Sequence, residues 1–159
     1  MNPYQRNANY LTIGLFIILT GVSVAGAIWL PSPIATHYNI AGKPDRWGSP
    51  ATLLILPAIV FFILGILGAA DKIHPNLMNF PGPRTPANVI RQVHNIRQMS
   101  ASLRVFIVAM FLLIQGQSIW AKLYNHNQLA GWTIPLVAIL PLLLVGFFVR
   151  RAYKLIPRQ

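Results

Sequence analysis

The chain has 159 residues, of which 55% are hydrophobic and only 9% charged, too few polar groups to coat a water-soluble globule, so the composition belongs to the membrane class. A formal net charge of +11 could suggest nucleic acid, but a basic surface beside a membrane more often meets anionic lipid, and no nucleic-acid partner is expected. There is no cysteine, which removes disulfides and thiol chemistry.

The fold class expected is an all-α membrane protein, a single integral domain over 1–159, with four transmembrane helices at about 11–30, 52–70, 103–121 and 132–150. These are uncharged apolar runs, the last two lengthened slightly into polar neighbours; at ~1.5 Å per residue, about 20 residues match a hydrocarbon core of about 30 Å. In the first helix Ala25-Gly26-Ala27 resembles a cleavage site, but the segment before it carries only Arg6, and an uncleaved span is expected. Gly21 and Ala25, and Gly65 and Ala69 in the second helix, have the spacing that lets helices approach closely, within the bundle or between proteins. Pro57 and Pro141 are expected to kink their helices, whereas Pro135 falls in a first turn.

The first connection, 31–50, has local structure written into it. Ile34, Thr36, Tyr38 and Ile40 alternate with Ala35, His37 and Asn39, as in a short extended segment. Ala41-Gly42-Lys43-Pro44-Asp45 is turn chemistry, and Ser49-Pro50 suits an N-cap and first helical residue. The second connection, 71–102, begins with a stiff stretch carrying Pro75, Pro81, Pro83 and Pro86. An amphipathic helix follows, with Val89, Val93, Ile96 and Ser100 on one face and Arg91, Asn95, Arg97 and Gln98 on the polar side. It is expected to lie in the inner interface and run into the third span. Arg91 and Arg97, with Arg150 and Arg151 after the fourth helix, are the basic residues expected to meet anionic headgroups. Within the third span Gln115 and Gln117 are about 200° apart, so one should face the bundle and the other the water layer.

Ten of the thirteen Lys and Arg residues fall before the first helix, in or bordering the second connection, or at and after the end of the fourth helix. Cytoplasmic segments are the ones enriched in Lys and Arg, so both termini are expected inside and the 31–50 loop outside, in a multi-pass protein of the bacterial inner (plasma) membrane. Trp29, Trp47, Trp120 and Trp132 then all fall on the outer side, as half of an aromatic belt.

The loop also carries a resemblance. Pro33, a His37-Tyr38-Asn39 run, Gly42, Asp45-Arg46-Trp47 and Gly48-Ser49 before an apolar helix resemble the membrane-associated domain of unknown function 1648. His74-Pro75 and Asn79-Phe80-Pro81 are similar to shorter members of that family. The same domain opens SdpI-type immunity proteins, so the resemblance implies a membrane location and recognition of a peptide, lipid or partner at the outer surface. Pro50 departs from the basic residue often found after Gly-Ser, and the additional C-terminal helices of that larger architecture are missing.

Chemistry is sparse. Asp45 and Asp71 are the sole acidic residues and fall on opposite sides in this topology, which excludes paired-carboxylate catalysis. His37 and Asp45 can approach one another, with His126 as a conceivable third ligand, but no nucleophile, phosphate-binding loop or metal motif accompanies them. Asp45 is expected to pair with Arg46 or Lys43 or to accept backbone hydrogen bonds in the turn, and His37 to hydrogen-bond the loop to itself or to a helix end. No catalytic residue, metal or cofactor is expected. The expected function is a non-enzymatic membrane protein whose loop acts in an immunity- or signalling-like role; the alternative is an accessory structural subunit of a larger membrane complex.

Overall fold

The computed structural model describes residues 2–126 and 128–157. Four helices are long and apolar enough to cross a membrane. They are α1 (Pro3–Trp29), α2 (Ile55–Ala70, preceded by a 3-10 turn at Pro50–Leu54), α3 (Pro86–Leu123) and α4 (Thr133–Lys154). Between α1 and α2 lies an antiparallel hairpin of β1 (Ile34–Tyr38) and β2 (Pro44–Gly48). The hairpin and the α3–α4 connection share one end of the bundle; both termini and the α2–α3 connection share the other, the basic end.

Side-chain caps start α1, α3 and the 3-10 turn before α2, whereas α4 begins without one. Asn2 and Gln5 form a reciprocal capping box ahead of Pro3, so α1 starts some eight residues before its apolar run. Thr85 caps α3 with Pro86 in its first turn. Ser49 Oγ accepts from Ala51 N, as expected, but Pro50 opens the 3-10 turn rather than the α-helix. Pro57 consequently sits in the first turn of α2 and not in its interior. There its missing N–H leaves Leu53 O without the donor an α-helix would supply. Gln115 of α3 fills that place, its Nε2 lying 3.1 Å from Leu53 O. Pro135 falls in the first turn of α4, and Pro141 lies inside that helix.

The bundle is thinly packed. Leu19, Val60 and Val108 form its fully buried centre, with Phe16, Leu64 and Phe111 around them. Most of each span remains uncovered by the chain, and large side chains such as Phe61, Phe62, Ile66, Leu142 and Phe147 face outward, as expected where lipid is the solvent. α1 packs most extensively on α3, and α4 rests chiefly on α3. The small-residue pairs do not make these contacts. A Cβ built on Gly21 or Gly65 meets nothing within 4 Å, whereas one on Gly26 would lie 2.7 Å from Leu53 Cδ1. Close approach of α1 therefore occurs at Gly26, one residue past Ala25 of the expected pair.

At the basic end the amphipathic segment and third span are one unbroken helix of 38 residues. Part of its polar side packs inward. Asn88 binds Pro81 O and Pro83 O, Gln92 binds Ala152 O at 2.8 Å, and Asn95 binds Phe148 O at 3.0 Å. Asn95 thus belongs to a buried seam and not to the exposed polar face the pattern suggested, because carboxamides on α3 fasten the C-terminal half of α4. Beside the seam Arg104 is buried, its Nη1 2.6 Å from Asp71 Oδ2 and its Nη2 3.2 Å from Asn9 Oδ1. This cluster ties α1, α2 and α3 together.

Candidate functional site

The 31–50 segment folds into the hairpin because its turn satisfies its own backbone. Asn39 Oδ1 accepts from Ala41 N at 2.9 Å and Lys43 N at 3.1 Å, and Asn39 O accepts from Gly42 N. Gly42 has a φ of 74°, a region that side chains with a Cβ disfavour. The second strand was not anticipated, since Pro44-Asp45-Arg46-Trp47-Gly48 lacks alternation. Strand pairing joins Ile34 to Gly48, Ala35 to Trp47, His37 to Arg46 and Tyr38 to Pro44. Thr36 and Asp45 are each the extra residue in an irregular step of that register, and a bulge re-aims a side chain. His37 Nδ1 donates to Asp45 Oδ1 at 2.6 Å, with both side chains exposed.

The hairpin is docked, not tethered. Lys122 Nζ donates to Pro33 O at 2.8 Å, and Leu129 N donates to Gly42 O at 2.8 Å over a buried Leu129 side chain. Tyr38 is half-buried and hydrogen-bonded to the Ser118 side chain; burial raises its phenol pKa, and the Ser118 bond opposes the rise. Gln117 Oε1 accepts from Ala130 N and Thr133 Oγ1, joining α3 to the start of α4. So one of the two, Gln115, faces the bundle, as expected of the pair, while the other, Gln117, binds the α3–α4 connection instead of facing water.

Of the motif residues, Asn39 and Gly42 build the turn, Pro33 and Tyr38 dock the hairpin, and Ser49 caps the following helix. Gly48 closes the sheet against Ile34. His37, Asp45, Arg46 and Trp47 are exposed, and Arg46 makes no ion pair among the described residues. Ile40 at the tip is 90% exposed. His126 is not brought to His37 and Asp45: its ring stacks on Trp120 at 4.5 Å, and no group of three metal-ligating side chains exists among the described residues. Trp29, Trp47, Trp120 and Trp132 are all exposed at this end. Of the four basic residues expected to meet headgroups, Arg91 and Arg150 are exposed, whereas Arg97 and Arg151 are half-buried and Arg151 Nη1 binds Gln98 Oε1 at 2.7 Å.

Beneath the hairpin lies a cavity of about 510 Å³ whose lining includes Tyr38, Leu56, Gln115, Ser118, Ile134 and Val137. The sequence signalled only its roof. Its depth depends on α3 and α4 residues far from the motif.

Comparison with known proteins reaches only part of this architecture. An uncharacterized protein of Archaeoglobus fulgidus is 40% identical over 50 residues, covering 31% of this chain and 27% of that protein, so the chain spans little more than a quarter of its relative's length. No solved structure matches. His74, Asn79 and Phe80 lie outside the family match, as do the α3 and α4 residues that hold the hairpin. Residues 14–61, which comprise most of α1, the hairpin and the start of α2, match the family described as a domain of unknown function (DUF1648).

Proposed function

We propose that this is a non-enzymatic membrane protein whose hairpin recognises a peptide, lipid or partner at the outer face of the bacterial inner membrane, in an immunity- or signalling-like role. The observation that carries the reading is a pre-ordered hairpin, fastened just ahead of β1, on β1 and at its turn, that presents the His37–Asp45 pair, Arg46, Trp47 and Ile40. Ordering a recognition surface in advance lowers the entropy cost of binding. The excess of Lys and Arg at the opposite end supports cytoplasmic termini and anionic lipid there. Both carboxylates are engaged at opposite ends of the bundle, Asp45 in a hydrogen bond with His37 and Asp71 in an ion pair with Arg104, which supports a binding role over acid–base catalysis. The test replaces His37, Asp45 and Arg46 by alanine in a deletion strain challenged with secreted toxic peptides. The reading expects loss of the deletion-complementing phenotype with normal protein levels; unaltered complementation by the triple variant overturns it.

A second reading, an accessory subunit of a larger complex, is favoured by the uncovered faces around Gly21 and around Gly65 and Ala69, since small residues facing outward suit close helix approach by another protein. Gentle-detergent purification tests it: a stoichiometric partner lost on Gly65→Leu substitution is expected, and a lone protein argues against it.

A further inference from the structure

We infer that the cavity beneath the hairpin is a lipid site, taking the hydrocarbon chain of a membrane lipid with an uncharged, hydrogen-bonding head. This deepens, and rests on, the reading of the hairpin as a recognition element. Three observations carry it. The walls are apolar and come from helices that lie in the membrane: Leu56 from α2, Ile114 from α3, and Ile134 and Val137 from α4. Because α4 rests chiefly on α3, α2 and α4 form separate walls, and a chain can enter sideways from the bilayer.

The polar groups are concentrated at one level. Thr36, His37, Tyr38 and Ser118 lie at the roof, where a head at the interface would sit. Among the described residues the roof has no Lys or Arg to meet a phosphate, and its imidazole, His37, is hydrogen-bonded to Asp45, which matches a hydroxyl- or amide-bearing head better than a phosphate. Gln115 supplies the third observation. It is 1% exposed, and its Nε2 is committed to Ser23 Oγ at 2.9 Å and Leu53 O at 3.1 Å. Those partners fix the orientation of the amide and leave its carbonyl oxygen without a donor among the described residues. Gln115 lines the cavity, so a donor on the occupant can meet that oxygen. The volume of about 510 Å³ falls within the ~300–1,000 Å³ usual for small-molecule sites.

The test uses the full chain in lipid nanodiscs with a diazirine-bearing monoacylglycerol as probe and peptide mass spectrometry as readout. Saturable labelling at Leu56, Ile134 and Val137, competed by unlabelled monoacylglycerol and lost in Val137→Trp, supports the site. Labelling of Phe61 and Phe62 on the open face of α2 is the internal control; its persistence in the variant shows that the span is intact. A second blocking variant, Leu56→Trp, serves if Val137→Trp does not accumulate. Labelling that is unsaturable and spread along all outward faces, or that is unchanged by both blocking variants, overturns the proposal. Hairpin recognition without a lipid site would show the opposite pairing: the His37, Asp45 and Arg46 triple variant loses its phenotype while Val137→Trp and Leu56→Trp retain it.

Discussion

Arg104 has one carboxylate to balance it, and both members of that pair are sheltered, with side-chain exposures of 8% and 23%. Asp71→Asn leaves the guanidinium buried and uncompensated, and a loss of about 3–5 kcal/mol is expected. Asp45→Asn breaks an exposed pair, where about 0–1 kcal/mol is at stake. Thermal unfolding of the two variants in the same detergent checks the contrast; equal shifts would contradict it. At the turn, Asn39→Ala removes the acceptor for two backbone N–H groups and is expected to weaken the hairpin by about 1–3 kcal/mol, seen as faster proteolysis between β1 and β2. The turn was legible in part: Gly42 falls in the expected 41–45 turn, whereas Asn39 read as extended segment and Pro44 and Asp45 belong to β2. The Arg104–Asp71 pair was not, because its partners are 33 positions apart and each reads alone as a solvated charge flanking a span.

Among elements, the docking of β1 on α3 depends on Tyr38. Folding raises its pKa, so the folded state holds the phenolic proton more tightly. The resulting stabilisation is fully present below the ordinary tyrosine value of about 10 and is lost as pH rises through the higher folded value. Protection of the β1 and β2 amides, measured against the base-catalysed intrinsic exchange rate, is therefore expected to hold to about pH 10 and to fall above it. In Tyr38→Phe the Ser118 bond is absent and this alkaline step disappears; a step that survives in the variant would assign it elsewhere. The first strand was readable from its alternation, whereas β2 was not, since Pro44 and Gly48 are weak strand formers and its pairing is imposed by the turn. The early start of α1 was hidden for a related reason. Its first turns are polar, and only the Asn2–Gln5 capping box marks them.

For the whole molecule, four apolar runs were enough to give the number of spans, because lipid requires each to satisfy its own backbone as a helix. How the spans pack was less legible. Gly21 and Gly65 face away from the bundle while Gly26 carries the close contact, and spacing alone does not distinguish them. The absence of cysteine makes orientation directly testable: a single Ile40→Cys protein is expected to react with a membrane-impermeant maleimide in intact cells, and an Ile90→Cys protein only after permeabilisation. The reverse pattern would invert the proposed topology. The unbroken α3 has a mechanical consequence. At 38 residues it is about 57 Å long against a hydrocarbon core of about 30 Å. It holds the hairpin through Ser118 and Lys122 near one end and α4 through Gln92 and Asn95 near the other. It is a lever with its fulcrum in the bilayer. Load on the hairpin that alters its tilt would swing the far end sideways, and spin-label distances from Ile90 to Ala69 would record that swing.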